Sequence, residues 1–413
     1  MREYLLELAL RKKDEIAWAI QQLSSDEYRA MAEENWVEYT PTVNQPESIT
    51  AVDGSALSME LRDTSIYGVK AYALSRHQSS VRHKYIGDVD VVTAANADGL
   101  VRAFREICEA KIALASISKL VLIDGSIISL LINPDPLTRI GIRRGIEAVE
   151  RLIGLDEVVV LLDKIREQAL ELEEADRYFG DPFISRSILK EVKKGGIGFT
   201  DIDDSVFEAA FAFTVFVEKL LSLRLLLDKS MVEGWGLVYV SKRSRSKEYL
   251  RKLKTTRVGK AFEGRLSGPT DMAVFSNYTR TPGFSKPLIV EEVETIKTLP
   301  SEGVLKKHVR DYFESIGIIL TYVRLVQDGP VLKLEIPFRK GSAVSASTAR
   351  EVVKSVMDML AGESYNGYPY PLIQVDKLVK VTRQDLNQIA FSLGILPSLT
   401  GREVLGEWYV EID

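Results

Sequence analysis

The chain has 413 residues, 46% apolar and 27% charged, with a formal net charge of −5, which gives core for two or three domains, or one elaborated domain, of ordinary soluble character. The single Cys108 excludes a disulfide framework and a thiolate zinc site, and His77, His83 and His308 show no metal-ligand spacing. Charges spread through the first eight residues exclude a signal peptide, and no stretch has the roughly 18 uncharged apolar residues of a membrane span, so a cytoplasmic setting is expected.

In chain order, Leu5, Leu6, Ala9, Leu10, Ile16, Ala17, Ile20 and Leu23 recur at helical spacing. They predict an amphipathic helix over 1–24 that packs on its own domain or on a second subunit. Residues 35–48, with Pro41, Asn44 and Pro46, read as loop, which divides the chain into a helix and linker (1–48) and a main domain (49–413).

Ile49-Thr-Ala-Val-Asp53-Gly54-Ser55 runs an apolar stretch into Asp-Gly-Ser, and Leu120-Val-Leu-Ile-Asp124-Gly125-Ser126 does the same. Each reads as a buried strand ended by a turn, with Gly allowing the sharp exit and Asp at the last strand position. Strands near 65–74 and 85–92 follow the first copy as antiparallel neighbours, and a helix over about 94–118 leads into the second. Residues 137–232 are almost wholly helical in pattern, and β pattern returns at Gly236 to Lys242. That stretch is read as a helical insertion between two strands. A hairpin turning at Asp328-Gly329-Pro330, a helix over 347–360, the stiff Gly367-Tyr-Pro-Tyr-Pro371 loop and a helix from Thr382 complete the chain. The predicted class is α/β: a ribonuclease-H-like mixed sheet flanked by helices, with acids at strand ends.

Two such strands side by side would bring Asp53 and Asp124 together. Adjacent carboxylates repel, and one protonates unless a cation holds both ionised, so Mg²⁺ or Mn²⁺ is the expected occupant. Glu106 or Glu109, on the helix before the second copy, can supply a third carboxylate, and Glu106 is preferred. Two ions about 3.5–4 Å apart would activate water and stabilise a leaving oxygen, so no protein base is required. Lys242 either contacts the scissile phosphate, anchors another phosphate, or is a surface lysine. It opens a basic run of Lys242, Arg243, Arg245, Lys247, Arg251, Lys252, Lys254, Arg257 and Lys260 against the lone acid Glu248, either a phosphate-binding track or a solvated face. Tyr368 and Tyr370 either stack on bases or pack on the domain. Asp376 is a further candidate metal ligand, and Arg324 and Glu335 are expected to form a structural ion pair.

Taken together, Ala51-Val-Asp53-Gly-Ser, Leu122-Ile-Asp124-Gly-Ser, Val240-Ser-Lys242-Arg243-Ser244, Lys333-Leu-Glu-Ile-Pro337 and Gly367-Tyr-Pro-Tyr-Pro-Leu372 resemble the NurA nuclease family, in that family's order. The resemblance implies a ribonuclease-H-like domain and a manganese-dependent 5′→3′ exonuclease and single-strand endonuclease that acts on single-stranded DNA and duplex ends. It also implies homodimerisation and work with a hexameric HerA-type translocase in end resection for double-strand break repair. Asp53, Glu106 and Asp124 would be metal ligands and Tyr368 the active-site tyrosine. Where the family usually carries a histidine, this chain has Asp376, which can bind Mg²⁺ or Mn²⁺ but cannot act as a cationic acid. Two other readings compete: an actin- or sugar-kinase-like phosphotransferase, and a non-catalytic DNA-binding adaptor of the translocase.

Overall fold

The computed structural model describes residues 2–15, 26–60, 64–78, 80–92, 97–116, 118–157, 160–188, 203–232, 236–253, 269–341 and 344–393. Among these, ten strands form one mixed sheet: β1 (Trp36–Glu38), β2 (Ser48–Glu60), β3 (Ser65–His77), β4 (Ser80–Val92), β5 (Leu120–Asp124), β6 (Gly236–Ser241), β7 (Gly283–Ser285), β8 (Leu288–Val290), β9 (Ile316–Arg324) and β10 (Val331–Arg339). Their order is β1-β7-β9-β10-β6-β5-β2-β3-β4, with β8 paired to β9. β2, β3 and β4 are antiparallel neighbours, and β5 and β6 continue the sheet parallel to β2. The expected mixed α/β sheet flanked by helices is therefore present.

The two Asp-Gly-Ser copies differ in conformation. The second ends its strand as expected: Gly125 leaves β5 with φ of +147°, and the Ser126 side chain accepts from the Ser129 N–H to cap the helix Ile127–Ile132. The first does not end its strand. β2 runs on through Gly54, opposite Ala71, and Ser55, opposite Lys70, as far as Glu60. The long partner β3 keeps every ladder position filled, and this pairing overrides the turn preference of Asp-Gly-Ser.

Helices cover both faces. Ala97–Leu114, Ile142–Leu152, Val160–Glu174 and Asp204–Val232 lie over one, where Phe104, Val149, Ile165 and Leu220 join Val52 and Ile123. Ala346–Gly362 and Tyr370–Val379 cover the other, with Met357, Leu372 and Val375 against Ala51, Leu122 and Val240. The described helices of 137–232 stand between β5 and β6 as the sequence pattern indicated, and they are fastened to the core. Lys111 Nζ lies 2.6 Å from Glu218 Oε1 with both side chains fully buried, and donates also to Gln168 and the Pro182 carbonyl.

Three local expectations change. Within the supposed loop 35–48, Trp36–Glu38 pairs with β7 as an edge strand. Arg324 and Glu335 do not meet: Arg324 donates to the carbonyls of Gly329 and Thr279, while Glu335 pairs with Lys333, two residues along the same strand face. The helix Arg2–Arg11 leaves Tyr4, Leu5, Leu6 and Leu10 exposed, so it does not pack on its own domain, and residues 16–25 lie outside the described chain. No described helix is long and apolar enough to cross a membrane.

Candidate active site

The parallel register Val52↔Ile123 sets Asp53 beside Asp124 on one face of the sheet. The helix Tyr370–Val379 crosses that face with Leu372 and Val375 buried beneath it, and carries Asp376 to the same place. Asp376 thus sits well inside a helix. One carboxylate oxygen from each of Asp53, Asp124 and Asp376 lies within 4.8 Å of the others, and this is the only such group of potential ligands among the described residues.

Their surroundings differ. Burial, followed by the Asp124 charge, pushes Asp53 up to about 7, with Asp376 adding to the rise. The Gly54 N–H, donating to Asp53 Oδ1 at 2.8 Å, and Lys242 only partly offset this. Asp376 is held below the ordinary carboxylate range, chiefly by its hydrogen bond from Lys242 and also by Lys380, while burial opposes the fall. Lys242 Nζ lies 3.1 Å from Asp124 Oδ2 and 2.9 Å from Asp376 Oδ1. Burial works against its charge, but these two acids more than compensate and raise its pKa.

Tyr368 closes the group. Its hydroxyl is buried and nears Asp124 without reaching hydrogen-bond geometry with any described residue. Burial raises its pKa, and the three neighbouring aspartates raise it further, so it stays protonated and available as a donor. A trio of carboxylates, one of which is poorly ionised on its own, with an unpartnered hydroxyl at its edge, suits a hard divalent cation.

Both Glu106 and Glu109 are buried. Glu106, the preferred third ligand, stands outside the group: Lys219 Nζ holds its Oε2 at 3.2 Å and Arg105 lies 3.9 Å away. Glu109 lies directly under Gly54, next to Asp53, with Arg105 Nε at 3.3 Å. Burial pushes Glu109 up to about 8, against the pull of Arg105, and Asp53, Glu106 and Asp124 add to the rise. Of the two, Glu109 is electrostatically tied to the aspartates through the backbone gap that Gly54 leaves.

The basic run is partly in view. Lys242 belongs to the acidic group, Arg243 and Arg245 are exposed just beyond β6, and Arg251 pairs with Glu248 at 2.8 Å. The Lys252 side chain and Lys254, Arg257 and Lys260 lie outside the described residues. Tyr370 is half exposed at the start of the Asp376 helix, its N–H bound to the Glu363 carbonyl.

Sequence reasoning also missed the support beneath Asp124. Glu335, fully buried, accepts from the Ser126 hydroxyl at 2.8 Å and the Ile128 N–H at 3.1 Å, and pairs with Lys333 at 2.5 Å. Lys333 and Glu335, two apart on a strand, share a face, which was the available signal.

The family model described as NurA domain matches residues 47–381. A probable DNA double-strand break repair nuclease NurA of Methanocaldococcus jannaschii is 24% identical over 420 residues, covering 98% of this chain and 92% of that protein. The DNA double-strand break repair nuclease NurA of Sulfurisphaera tokodaii is 23% identical over 398 residues, covering 94% of each. A crystal structure of NurA bound to dAMP and manganese superposes with a TM-score of 0.65 at 17% identity, covering 95% of both chains.

Proposed function

Because the chain belongs to the NurA family and is a DNA nuclease, we propose that it hydrolyses DNA phosphodiester bonds at the group formed by Asp53, Asp124 and Asp376, with Mn²⁺ or Mg²⁺ as cofactor. The convergence of three carboxylates within 4.8 Å, from β2, the end of β5 and the helix Tyr370–Val379, carries this reading. The order β4-β3-β2-β5-β6, three antiparallel strands followed by two parallel to the first, supports a ribonuclease-H-like core.

Asp53, Asp124 and Asp376 would hold the cations, with Glu109 supporting Asp53 from below. Bound cations, two in this reading, would activate water and stabilise the leaving oxygen. Lys242 and the Tyr368 hydroxyl would bind the scissile phosphate, one by charge and one by donating a hydrogen bond. Glu106 instead pairs with Lys219 and so helps hold the long helix Asp204–Val232 in place. Arg243, Arg245 and Arg251, followed by Lys252 and Lys254, would bind phosphates further along the strand, and Tyr370 would stack on a base. The finer activities follow the family resemblance: 5′→3′ exonuclease and single-strand endonuclease action in end resection, as a homodimer working in the cytoplasm with a HerA-type translocase.

Digestion of end-labelled single- and double-stranded DNA with Mn²⁺, Mg²⁺ or EDTA tests this, comparing wild type with Asp53→Asn. Metal-dependent cleavage lost in the variant is expected, and 5′ against 3′ labels give the polarity. Equal cleavage by the variant overturns the site. Binding without cleavage in every metal replaces it with the adaptor reading. Co-elution of the full chain with a HerA-type hexamer is the corresponding test of partnership.

A further inference from the structure

The face of the sheet that holds the acidic group continues to a cavity beside β4. Cross-strand register aligns Asp53 with Tyr72 and Tyr72 with Tyr85, so the three side chains form one row across β2, β3 and β4. Two strand spacings of about 4.8 Å put Tyr85 roughly 10 Å from Asp53. Around Tyr85 opens a cavity of about 660 Å³ lined by His83, Arg82, Arg177 and Leu378, the last two residues on from Asp376.

Its walls are aromatic and cationic. Tyr72 and Tyr85 have ring centroids 4.7 Å apart, and the His83 ring lies nearly parallel to Tyr72 at 5.9 Å, tied to it by a hydrogen bond. Arg177 sits over the Tyr85 ring at 5.8 Å. The chain around Arg177 is docked on the β4 edge, where Tyr85 N donates to the Asp176 carbonyl and Tyr178 N to the Tyr85 carbonyl. Arg82, His83 and Arg177 are exposed, whereas Lys70 is committed to the Leu378 carbonyl. Asp176 is the acid at this rim, so the balance of charge there favours an anion.

We propose that this cavity binds an unpaired nucleotide of single-stranded DNA, its base against Tyr85 and His83 and its phosphates against Arg82 and Arg177. An aromatic platform flanked by guanidinium groups suits a base and its phosphate together, and is indifferent to sequence. Its distance from Asp53 lets one short stretch of strand engage both places. The inference rests on the nuclease reading for its purpose, though not for its test.

The test is fluorescence anisotropy of the full chain in EDTA with labelled oligothymidine and with the same oligomer carrying abasic sites. Wild type is expected to prefer the base-bearing strand, and Tyr85→Leu to lose that preference by about tenfold. Arg82→Ala combined with Arg177→Ala should weaken both oligomers and flatten the salt dependence. This second variant also serves if Tyr85→Leu fails to fold, as judged by circular dichroism. Wild-type affinity and salt slope in the arginine variant, or an unchanged preference in folded Tyr85→Leu, overturns the proposal. Absence of any metal-dependent cleavage by wild type would instead sink the nuclease reading and leave this comparison standing.

Discussion

Gly54 gives Glu109 its place: a Cβ at position 54 would overlap the Glu109 carboxylate and the Arg105 side chain. Glu109 is buried and cannot withdraw cheaply, whereas Arg105 is about a third exposed and has some room to move. Gly54→Ala should therefore cost about 1–3 kcal/mol in stability, typical of an overpacked site. It should also displace Glu109 from Asp53 and lower metal-dependent cleavage well beyond what the loss of folded protein explains. Thermal melts and cleavage rates on the same preparation check this, and a variant with wild-type rates would remove Glu109 from the site's support.

Lys242 neutralises the same acids that would hold a cation. Being nearly half exposed, at 46%, it is screened by solvent, and each of its ion pairs is worth about 0–1 kcal/mol. Lys242→Ala should lower the melting temperature slightly in EDTA by leaving Asp124 and Asp376 to repel. Added Mn²⁺ should then raise the melting temperature more in the variant than in wild type, because the ion relieves a repulsion that Lys242 otherwise relieves. Equal metal-induced shifts in the two proteins would separate Lys242 from the cation site.

The pairing of Asp53 with Asp124 was legible because each acid follows an apolar run of strand length, and parallel pairing of two such runs aligns their ends. That the first Asp-Gly-Ser stays extended was not legible, since it depends on thirteen ladder pairs with β3, a tertiary fact. Glu106 and Glu109 stand three apart on one helix and share a face, so periodicity could not separate them; only the missing Cβ of Gly54 does. Asp376 was a candidate because it follows the apolar run Leu372-Ile-Gln-Val, but only the packing of the helix Tyr370–Val379 on the sheet brings it to the other two acids. Arg324 and Glu335 were paired on charge without register, and the register sets them opposite Val331 and Leu320 instead.

Asp271 should make stability depend on pH at the base of the basic run. Burial pushes it up to about 6, although the N–H groups of Leu250 and Tyr249, both at 3.0 Å, favour its charged form. With a folded pKa above the ordinary value of 3.8, the folded state binds more protons than the unfolded chain between these limits. The contribution is thus complete below about pH 4 and lost as pH rises through about 6. Its size is roughly 3 kcal/mol, from about 1.4 kcal/mol per unit. Asp271→Asn should remove that slope, visible as the difference between wild-type and variant urea midpoints at pH 4 and pH 7. A constant difference would show that Asp271 ionises as it does in the unfolded chain.

Glu335 anchors the turn that presents Asp124. Its carboxylate takes the Ser126 hydroxyl and the Ile128 N–H, and it neutralises Lys333, which is itself buried. Truncation to Glu335→Ala would strand the Lys333 charge and two donors, at a cost of about 3–5 kcal/mol. Replacing both partners, as Lys333→Met with Glu335→Leu, should recover most of the stability, because the uncompensated charge is gone. It should not recover cleavage, because Ser126 and Ile128 still lack their acceptor and the Asp124 turn stays unanchored. Urea unfolding together with cleavage rates on the single and double variants separates the two effects; recovery of both would make the pair a fold element with no part in placing Asp124.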